Sequence, residues 1–158
     1  MINNLEFAQK QQKLNDSFDV SSFKRLSETL SLHNNSNEQM KVSFELTGDY
    51  KRFRQPSLHL YIKTKLPVIC QRCLDEMLVD LDLNFDYLIS DSVADELDNN
   101  DEIDWIESNV EMNYHELIED ELLLAMPIAP VHKNACSKTN TQSGEKPNPF
   151  AVLKNLIK

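Results

Sequence analysis

The chain has 158 residues, 41% of them hydrophobic, and a formal net charge of −10, which suits one domain with an ordinary core. Its two glycines cannot form the glycine-rich loop of Rossmann or P-loop nucleotide enzymes, which excludes those classes. It has no Gly-x-Ser-x-Gly elbow, so a hydrolase function loses most of its support. Three cysteines, no apolar N-terminal region and no apolar run of membrane-spanning length predict a cytoplasmic protein without a membrane partner.

The first predicted elements are one helix and three strands. Apolar residues recur at helical spacing between Ser21 and Leu32, where Ser21 or Ser22 would be the N-cap. Apolar and polar residues then alternate, as in strands with one buried and one wet face, at residues 42–46, at 58–66 with a continuation toward Cys70, and at 79–87. Such alternation is typical of antiparallel sheets. We therefore expect an α+β fold, with an antiparallel β-meander, open or barrel-like, packed with a few amphipathic helices.

An acid-dense segment, residues 90–104, follows the predicted strands. It has few large apolar residues, so we expect a mobile loop there, followed by one more short strand around Trp105. Near the other end, a polar linker begins after Cys136, and Pro149 marks the start of a short amphipathic helix that must dock to be stable. The predicted division is a single domain over 1–136 and a linker with a docking helix over 137–158.

A second helix is predicted to begin at Asn113, which has Glu116 at capping-box spacing, and to end before Pro127. Its buried stripe would consist of Tyr114, Leu117, Ile118, Leu122 and Ala125. The acidic run from Glu119 to Glu121 could hold magnesium, but neighbouring acids on a helix point in different directions. We therefore interpret this run as the solvent-exposed face of the helix.

Charge is segregated along the chain. Residues 51–73 hold six Lys or Arg and no acid, whereas residues 74–132 hold 18 acids and no Lys or Arg. The two blocks are either solvated faces without a partner or a bipolar surface that binds one. Aromatic residues between basic ones can stack on unpaired bases while the cations hold phosphates. The RNA-binding candidates are Lys51, Arg52, Phe53, Arg54, Lys63, Lys65 and Arg72.

The Cys-x-x-Cys of Cys70 and Cys73 has three interpretations. Metal ligation needs two more ligands, which His132 and Cys136 could provide, giving a closed Cys3His zinc site without an open position for catalysis. Redox catalysis usually places such thiols at a helix N-terminus, and here they follow a strand, so this interpretation is the weakest. Reduced, partly buried thiols without a ligand are the simplest interpretation. A structural zinc ion is the candidate cofactor, and the residues leave the choice open.

Three blocks of the sequence resemble the YceD family, the bacterial large ribosomal RNA subunit accumulation proteins: ICQRCLDEM, EDELLLAMPIAPVH with the following Cys136, and KPNPFAVLKNL. The resemblance implies a cytoplasmic ribosome-biogenesis factor, neither an enzyme nor a binder of small-molecule substrates, that supports synthesis, processing or stability of large-subunit (23S) ribosomal RNA. The family-like positions are Cys70, Arg72, Cys73, Glu119, Asp120, Glu121, Pro127, Pro130, His132, Cys136, Pro147, Asn148, Pro149 and Phe150.

The resemblance supplies no mechanism, and the charges permit two. In the first, the basic segment makes weak contact with large-subunit ribosomal RNA or its precursor, and the acidic block keeps this binding reversible. In the second, the acidic block holds a basic large-subunit ribosomal protein until assembly. A zinc-stabilised interaction module is a further alternative. We favour RNA contact, because the effect that the family name describes is on RNA.

Overall fold

A computed structural model of the chain describes residues 1–30, 40–90, 103–134 and 136. Three helices, one short 3-10 turn and five strands form in these residues. In chain order they are α1 Asn4–Gln9, β1 Lys13–Asp19, the 3-10 turn Val20–Ser22, α2 Lys24–Thr29, β2 Lys41–Asp49, β3 Ser57–Ile69, β4 Glu76–Ser90, β5 Asp104–Glu107 and α3 Tyr114–Ala125. Within this part of the chain, no helix is long and apolar enough to cross a membrane.

The strands form one mixed sheet in the order β1-β2-β3-β4-β5. The first four strands are an antiparallel meander, and β5 pairs parallel to β4 over the last four residues of that strand. The predicted α+β class and the antiparallel meander are therefore confirmed. The barrel-like alternative is wrong, since among the described residues β1 pairs only with β2 and β5 only with β4, which leaves the sheet open.

The three predicted strands form the centre of the sheet. β2 and β4 are longer than the alternation indicated, whereas β3 ends at Ile69, in line with the predicted continuation toward Cys70. The longest pairing joins β3 to β4, from Ser57 opposite Leu88 to Ile69 opposite Glu76. By contrast, the pairing of β2 with β3 ends at Lys63, so the last part of β3 extends beyond β2. Pro67, which has no backbone N–H to donate, lies in this extension, where a strand tolerates proline.

The core lies between the helices and the inward face of the sheet. It contains the predicted apolar residues of β2 and β3 together with residues of all three helices, including Phe7, Phe23, Leu26, Leu46, Leu60, Ile62, Ile118 and Leu122. The stripe of β4 is buried less than its alternation predicts, because Val79, Leu83 and Phe85 are only partly covered. Burial of this apolar area supplies the main stabilisation of the fold.

Both predicted helices form, and the predicted N-cap of the first, Ser21 or Ser22, is wrong. The first is shorter than expected and has Phe23 as its N-cap. The hydroxyl oxygen Oγ of Ser22 lies 3.1 Å from Nε2 of His115 instead of capping the helix. The second begins as predicted, with Asn113 accepting from the backbone N–H of His115, and ends at Ala125, just before Pro127.

The N-terminal elements α1 and β1 were not predicted. In β1 only Leu14 and Phe18 are partly buried, so an edge strand with a largely polar sequence gives little alternation to detect. Most of the predicted acidic loop, residues 91–102, lies outside the described residues. The predicted linker and C-terminal docking helix, residues 137–158, also lie outside them.

Candidate metal centre and charged surfaces

The turn between β3 and β4 carries the Cys-x-x-Cys and contacts the segment that follows α3. The backbone N–H of Cys70 donates to the carbonyl of Asp75 at 3.0 Å, and the N–H of Leu74, whose φ is 62°, donates back to Cys70 at 2.9 Å. The N–H of Gln71 donates to the carbonyl of Pro130 at 2.8 Å. This last bond holds the post-helix segment against the turn, so the two halves of the predicted ligand set meet.

All four predicted ligand residues come together. One ligand atom from each of Cys70, Cys73, His132 and Cys136 lies within 4.8 Å of the others, and this is the one such four-residue group found in the described part of the chain. The Sγ atoms of Cys70 and Cys136 are 3.7 Å apart, and Sγ of Cys73 is 3.4 Å from Nδ1 of His132. A tetrahedral zinc ion with Zn–S bonds of about 2.3 Å separates its sulfur ligands by about 3.8 Å. The donor set and these spacings therefore fit a structural zinc ion.

Electrostatics within the cluster favour thiolates unequally. Burial opposes ionisation of Cys70, but the amides of Cys73 and Arg72 point at its sulfur and lower its pKa to about 5. The amide of Asp75 favours the thiolate of Cys73, yet burial and the nearby sulfurs of Cys136 and Cys70 outweigh it and raise the pKa of Cys73 to about 11. Burial also opposes ionisation of Cys136, but bonds from Arg72, Cys73 and His132 outweigh it and lower the pKa of Cys136, so the thiolate that the cluster hinders is the one on Cys73. A bound divalent cation would remove that hindrance, because it needs deprotonated ligands.

The predicted RNA-binding residues lie in three separate places. Lys51, Arg52, Phe53 and Arg54 are in the loop before β3, Lys63 and Lys65 are on β3, and Arg72 is in the turn after it. Because β3 has 13 residues at about 3.3 Å each, Arg72 lies about 40 Å along the strand direction from the loop. The structure thus separates these residues, and their contact with RNA stays a prediction.

On the outward face of the sheet, acids of β4 stand opposite the basic residues of β3. Lys65 forms a 3.0 Å ion pair with Asp80, and Lys63 lies opposite Asp82 in the strand register. The local positive charge of the linear sequence is therefore largely neutralised on this strand. Arg72 does not face this sheet surface at all, because its side chain contacts the cysteine cluster.

The loop before β3 has the clearest unpaired positive charge. Asp49 orders the loop by accepting from the backbone N–H groups of Lys51 and Arg52. The pKa of Asp49 is lowered, and the bond from the Lys51 amide is the largest cause. The guanidinium of Arg52 lies 5.0 Å from the ring centre of Phe53 and pairs with Asp86 at 2.9 Å. The exposed side chains of Lys51 and Arg54 form no ion pair with a described acid.

The acidic run on α3 has structural contacts that the sequence did not indicate. The interpretation of Glu119 as solvent-exposed is wrong, since this residue is 5% exposed and its carboxylate accepts from Arg25 and Leu26. Asp120 forms a 2.7 Å ion pair with Arg25, and Glu121 accepts from the hydroxyl of Tyr87 at 2.8 Å. Glu119 and Asp120 share Arg25, whereas Glu121 binds Tyr87, so all three carboxylates already have protein donors, which disfavours a shared magnesium ion.

Large apolar side chains are exposed on the two segments that meet at the cluster. They are Ile69, Leu74 and Leu78 around the β3–β4 turn and Leu124, Ile128 and Val131 around the end of α3. Exposed apolar residues are common singly, but a group of six on two hydrogen-bonded segments is typical of a contact surface. We name these six residues the apolar rim.

An open mixed sheet with helices on one face and a closed four-residue ligand cluster defines a small α+β domain with a candidate structural metal centre. The family model for "Large ribosomal RNA subunit accumulation protein YceD" matches residues 58–157, and the chain belongs to this family. The match includes the whole cluster and the apolar rim, and it confirms the resemblance of the three sequence blocks. The family description names a role in ribosomal RNA accumulation and no chemical reaction.

A curated relative gives the same description. The chain is 33% identical over 103 residues to the large ribosomal RNA subunit accumulation protein YceD of Haemophilus influenzae, which covers 55% of this chain and 57% of the relative. It therefore spans little more than half the length of that relative. No solved structure matches the chain.

Proposed function

We propose that this protein is a cytoplasmic, non-enzymatic factor that supports accumulation of large-subunit ribosomal RNA by weak, direct contact with that RNA or its precursor. Family membership supports the effect on RNA. The loop before β3 supports the contact, because it combines two exposed cations, Lys51 and Arg54, with the aromatic rings of Tyr50 and Phe53. Cations can hold phosphates while exposed rings stack on unpaired bases.

Two double substitutions test the basic residues of the loop before β3 and those of β3 independently. The doubly substituted protein Lys51→Gln with Arg54→Gln should retain less precursor ribosomal RNA, and the slope of log K against log salt should fall by about 0.7 per lost phosphate contact. The matched control, Lys63→Gln with Lys65→Gln, removes the same charge from residues that already face acids, and should retain RNA nearly as well as the unaltered protein. Equal retention by the loop variant and the unaltered protein would overturn RNA contact through this loop.

We propose further that Cys70, Cys73, His132 and Cys136 hold a structural zinc ion. The four donors fill a tetrahedral site, so the metal would support the fold and would offer no open position for substrate. Protein purified without a histidine tag should contain about one equivalent of zinc by elemental analysis, and Cys73→Ser should lose it. Less than about half an equivalent in the unaltered protein would count against the site.

A second candidate function is a zinc-stabilised interaction module, and the apolar rim favours it. A protein partner would cover these side chains, whereas RNA gains little from aliphatic groups. Ile128→Asp should then weaken capture of large-subunit precursor particles, while Val110→Asp, which alters a 72% exposed residue outside the rim, should not. Equal capture by both variants would remove this candidate. The holding of a basic ribosomal protein by the acidic block, in which residues 91–102 contribute six of the 18 acids, stays a prediction.

A further inference from the structure

The side chain of Arg72 lies at the candidate metal centre and contacts the segment that follows α3, which carries the ligands His132 and Cys136. Its Nε–H donates to Sγ of Cys136 at 3.1 Å, and its Nη2 donates to the carbonyl of His132 at 3.0 Å and to that of Asn134. A single guanidinium from the Cys-x-x-Cys turn thus bonds one ligand sulfur and two carbonyls of the segment that carries the other ligands. Lysine could not reproduce this arrangement, since its donors radiate from a single atom.

We infer that Arg72 is a positioning residue of the metal centre, which orients Cys136 and His132 and offsets the net negative charge of the metal–thiolate centre, and is not an RNA contact. This inference rests on the proposed zinc site. Zinc with three thiolates and a neutral imidazole carries one net negative charge, and an N–H donor to sulfur is the group that stabilises such a charge.

The surrounding sequence makes this charge important. Arg72 is the only Lys or Arg between Lys65 and Lys133, and the residues that follow it are the acid-dense block. A negatively charged centre in such surroundings would be disfavoured without a local cation. Partners that orient metal ligands typically change metal affinity by 10- to 100-fold when they are replaced.

The chain offers a matched control at the same site. Lys133 is adjacent to His132 and exposed, and within the described residues its side chain forms no hydrogen bond or ion pair with any of the four ligands. Arg72→Gln and Lys133→Gln therefore remove the same charge from the two sides of the cluster, but only the first removes contacts to the ligand segment. Arg72→Lys retains the charge and loses the fork of donors.

The experiment measures zinc affinity by competition with a chromophoric chelator, using the full chain. Arg72→Gln should bind zinc about 10- to 100-fold more weakly, Arg72→Lys should lie between it and the unaltered protein, and Lys133→Gln should stay within about twofold. In the cobalt-substituted protein, the sulfur-to-metal charge-transfer band should shift in Arg72→Gln and not in Lys133→Gln. Loss of fold stability alone would not move this band, because the band reports on the metal–sulfur bonds.

Two results would overturn the inference, and they differ. Equal zinc affinity and equal cobalt spectra for Arg72→Gln and Lys133→Gln would show that Arg72 does not position the ligands, and would leave the zinc site intact. Absence of zinc from the unaltered protein would overturn the metal centre itself, and the role of Arg72 with it. If Arg72→Gln did not fold, Arg72→Lys would provide the same comparison, and an affinity equal to that of Lys133→Gln would count against the inference.

Discussion

Glu119 and Arg25 are joined by three hydrogen bonds between α3 and the start of α2. The backbone N–H of Arg25 donates to Oε1 of Glu119 at 2.7 Å, and its Nε and Nη2 donate to Oε2 at 3.1 and 3.0 Å. The next amide, that of Leu26, also donates to Oε1. Because the N-cap Phe23 has no side-chain acceptor, Glu119 takes over the capping of α2 from a distant part of the chain.

We expect Glu119→Gln to destabilise the domain at neutral pH by about 1–3 kcal/mol, since buried donors lose a charged acceptor. Burial by itself would raise the pKa of Glu119, but bonds from the amide of Leu26 and from Arg25 outweigh it and lower that pKa below its ordinary value. The stabilisation is therefore present above the unfolded-state pKa and is lost as the pH falls through the lower folded-state pKa. Urea unfolding at neutral and acidic pH measures this difference, which should shrink in acid.

The matched control is Glu111→Gln, which removes the same charge from an exposed position outside the helices. It should change the free energy of unfolding by less than about 0.5 kcal/mol at any pH. A Glu119→Gln protein as stable at neutral pH as this control would contradict the capping role.

Glu121, two residues further along α3, should respond with the opposite sign. Burial, with further contributions from Asp104 and Asp120, raises the pKa of Glu121 even though the hydroxyl of Tyr87 donates to it. A raised folded-state pKa means that stability is lost as the pH rises through it, so ionised Glu121 costs free energy at neutral pH. Glu121→Gln keeps an acceptor for Tyr87 and should leave stability unchanged or raised at neutral pH, with no gain below about pH 4. A loss comparable to that of Glu119→Gln would refute this assignment.

Gly48→Ala should destabilise the contact between α1 and β2. A Cβ at this position would lie 2.5 Å from the carbonyl oxygen of Phe7 and 2.8 Å from Cα of Ala8, both of them backbone atoms that a side-chain rotation cannot move. We expect a loss of about 1–3 kcal/mol in the free energy of unfolding. Ser43→Ala, on the exposed face of the same strand, is the control and should change stability little. Equal unfolding midpoints for the two variants would show that α1 does not pack closely in solution.

If the proposed zinc ion is bound, its removal should lower the unfolding temperature of the purified protein. A strong chelator should destabilise the unaltered chain, and added zinc, but not magnesium, should restore the midpoint, because three sulfur ligands disfavour a hard cation. The zinc effect should weaken toward acidic pH, as protons compete for the thiolates and for His132. Cys70→Ser is the control, and a chelator effect of the same size in that variant would assign the effect to something other than this centre.

The central strands could be predicted because each has one buried and one wet face, which the sequence records as alternation. In β1, by contrast, Leu14 and Phe18 are four residues apart among polar neighbours, so the pattern could equally be a loop. The parallel direction of β5 also had no local signal, since strand direction depends on the path of the intervening chain. The apolar–polar alternation of a strand can be read from its own residues, whereas its pairing partner and direction depend on residues elsewhere in the chain.

The ligand residues could be proposed because cysteine and histidine pairs at short spacing are rare. Their meeting is accompanied by a hydrogen bond between Gln71 and Pro130, two segments whose approach no local spacing encodes. The contacts of Arg72 were missed because its position in the basic segment suggested RNA, although an arginine inside Cys-x-x-Cys was a signal for the cluster. The capping by Glu119 was missed because its partners lie more than 90 residues away.

Closure of the cluster between Cys73 and His132 also has a consequence for the unfolded chain. The two residues are 59 positions apart, so a metal held by both ends turns the intervening polypeptide into a ring. A cross-link of that length lowers the conformational entropy of the denatured ensemble by an amount worth about 4 kcal/mol. The ring contains β4, β5, α3 and the acidic block from Asp75 to Glu121. A metal there would therefore limit how far these like charges can spread apart whenever the domain opens.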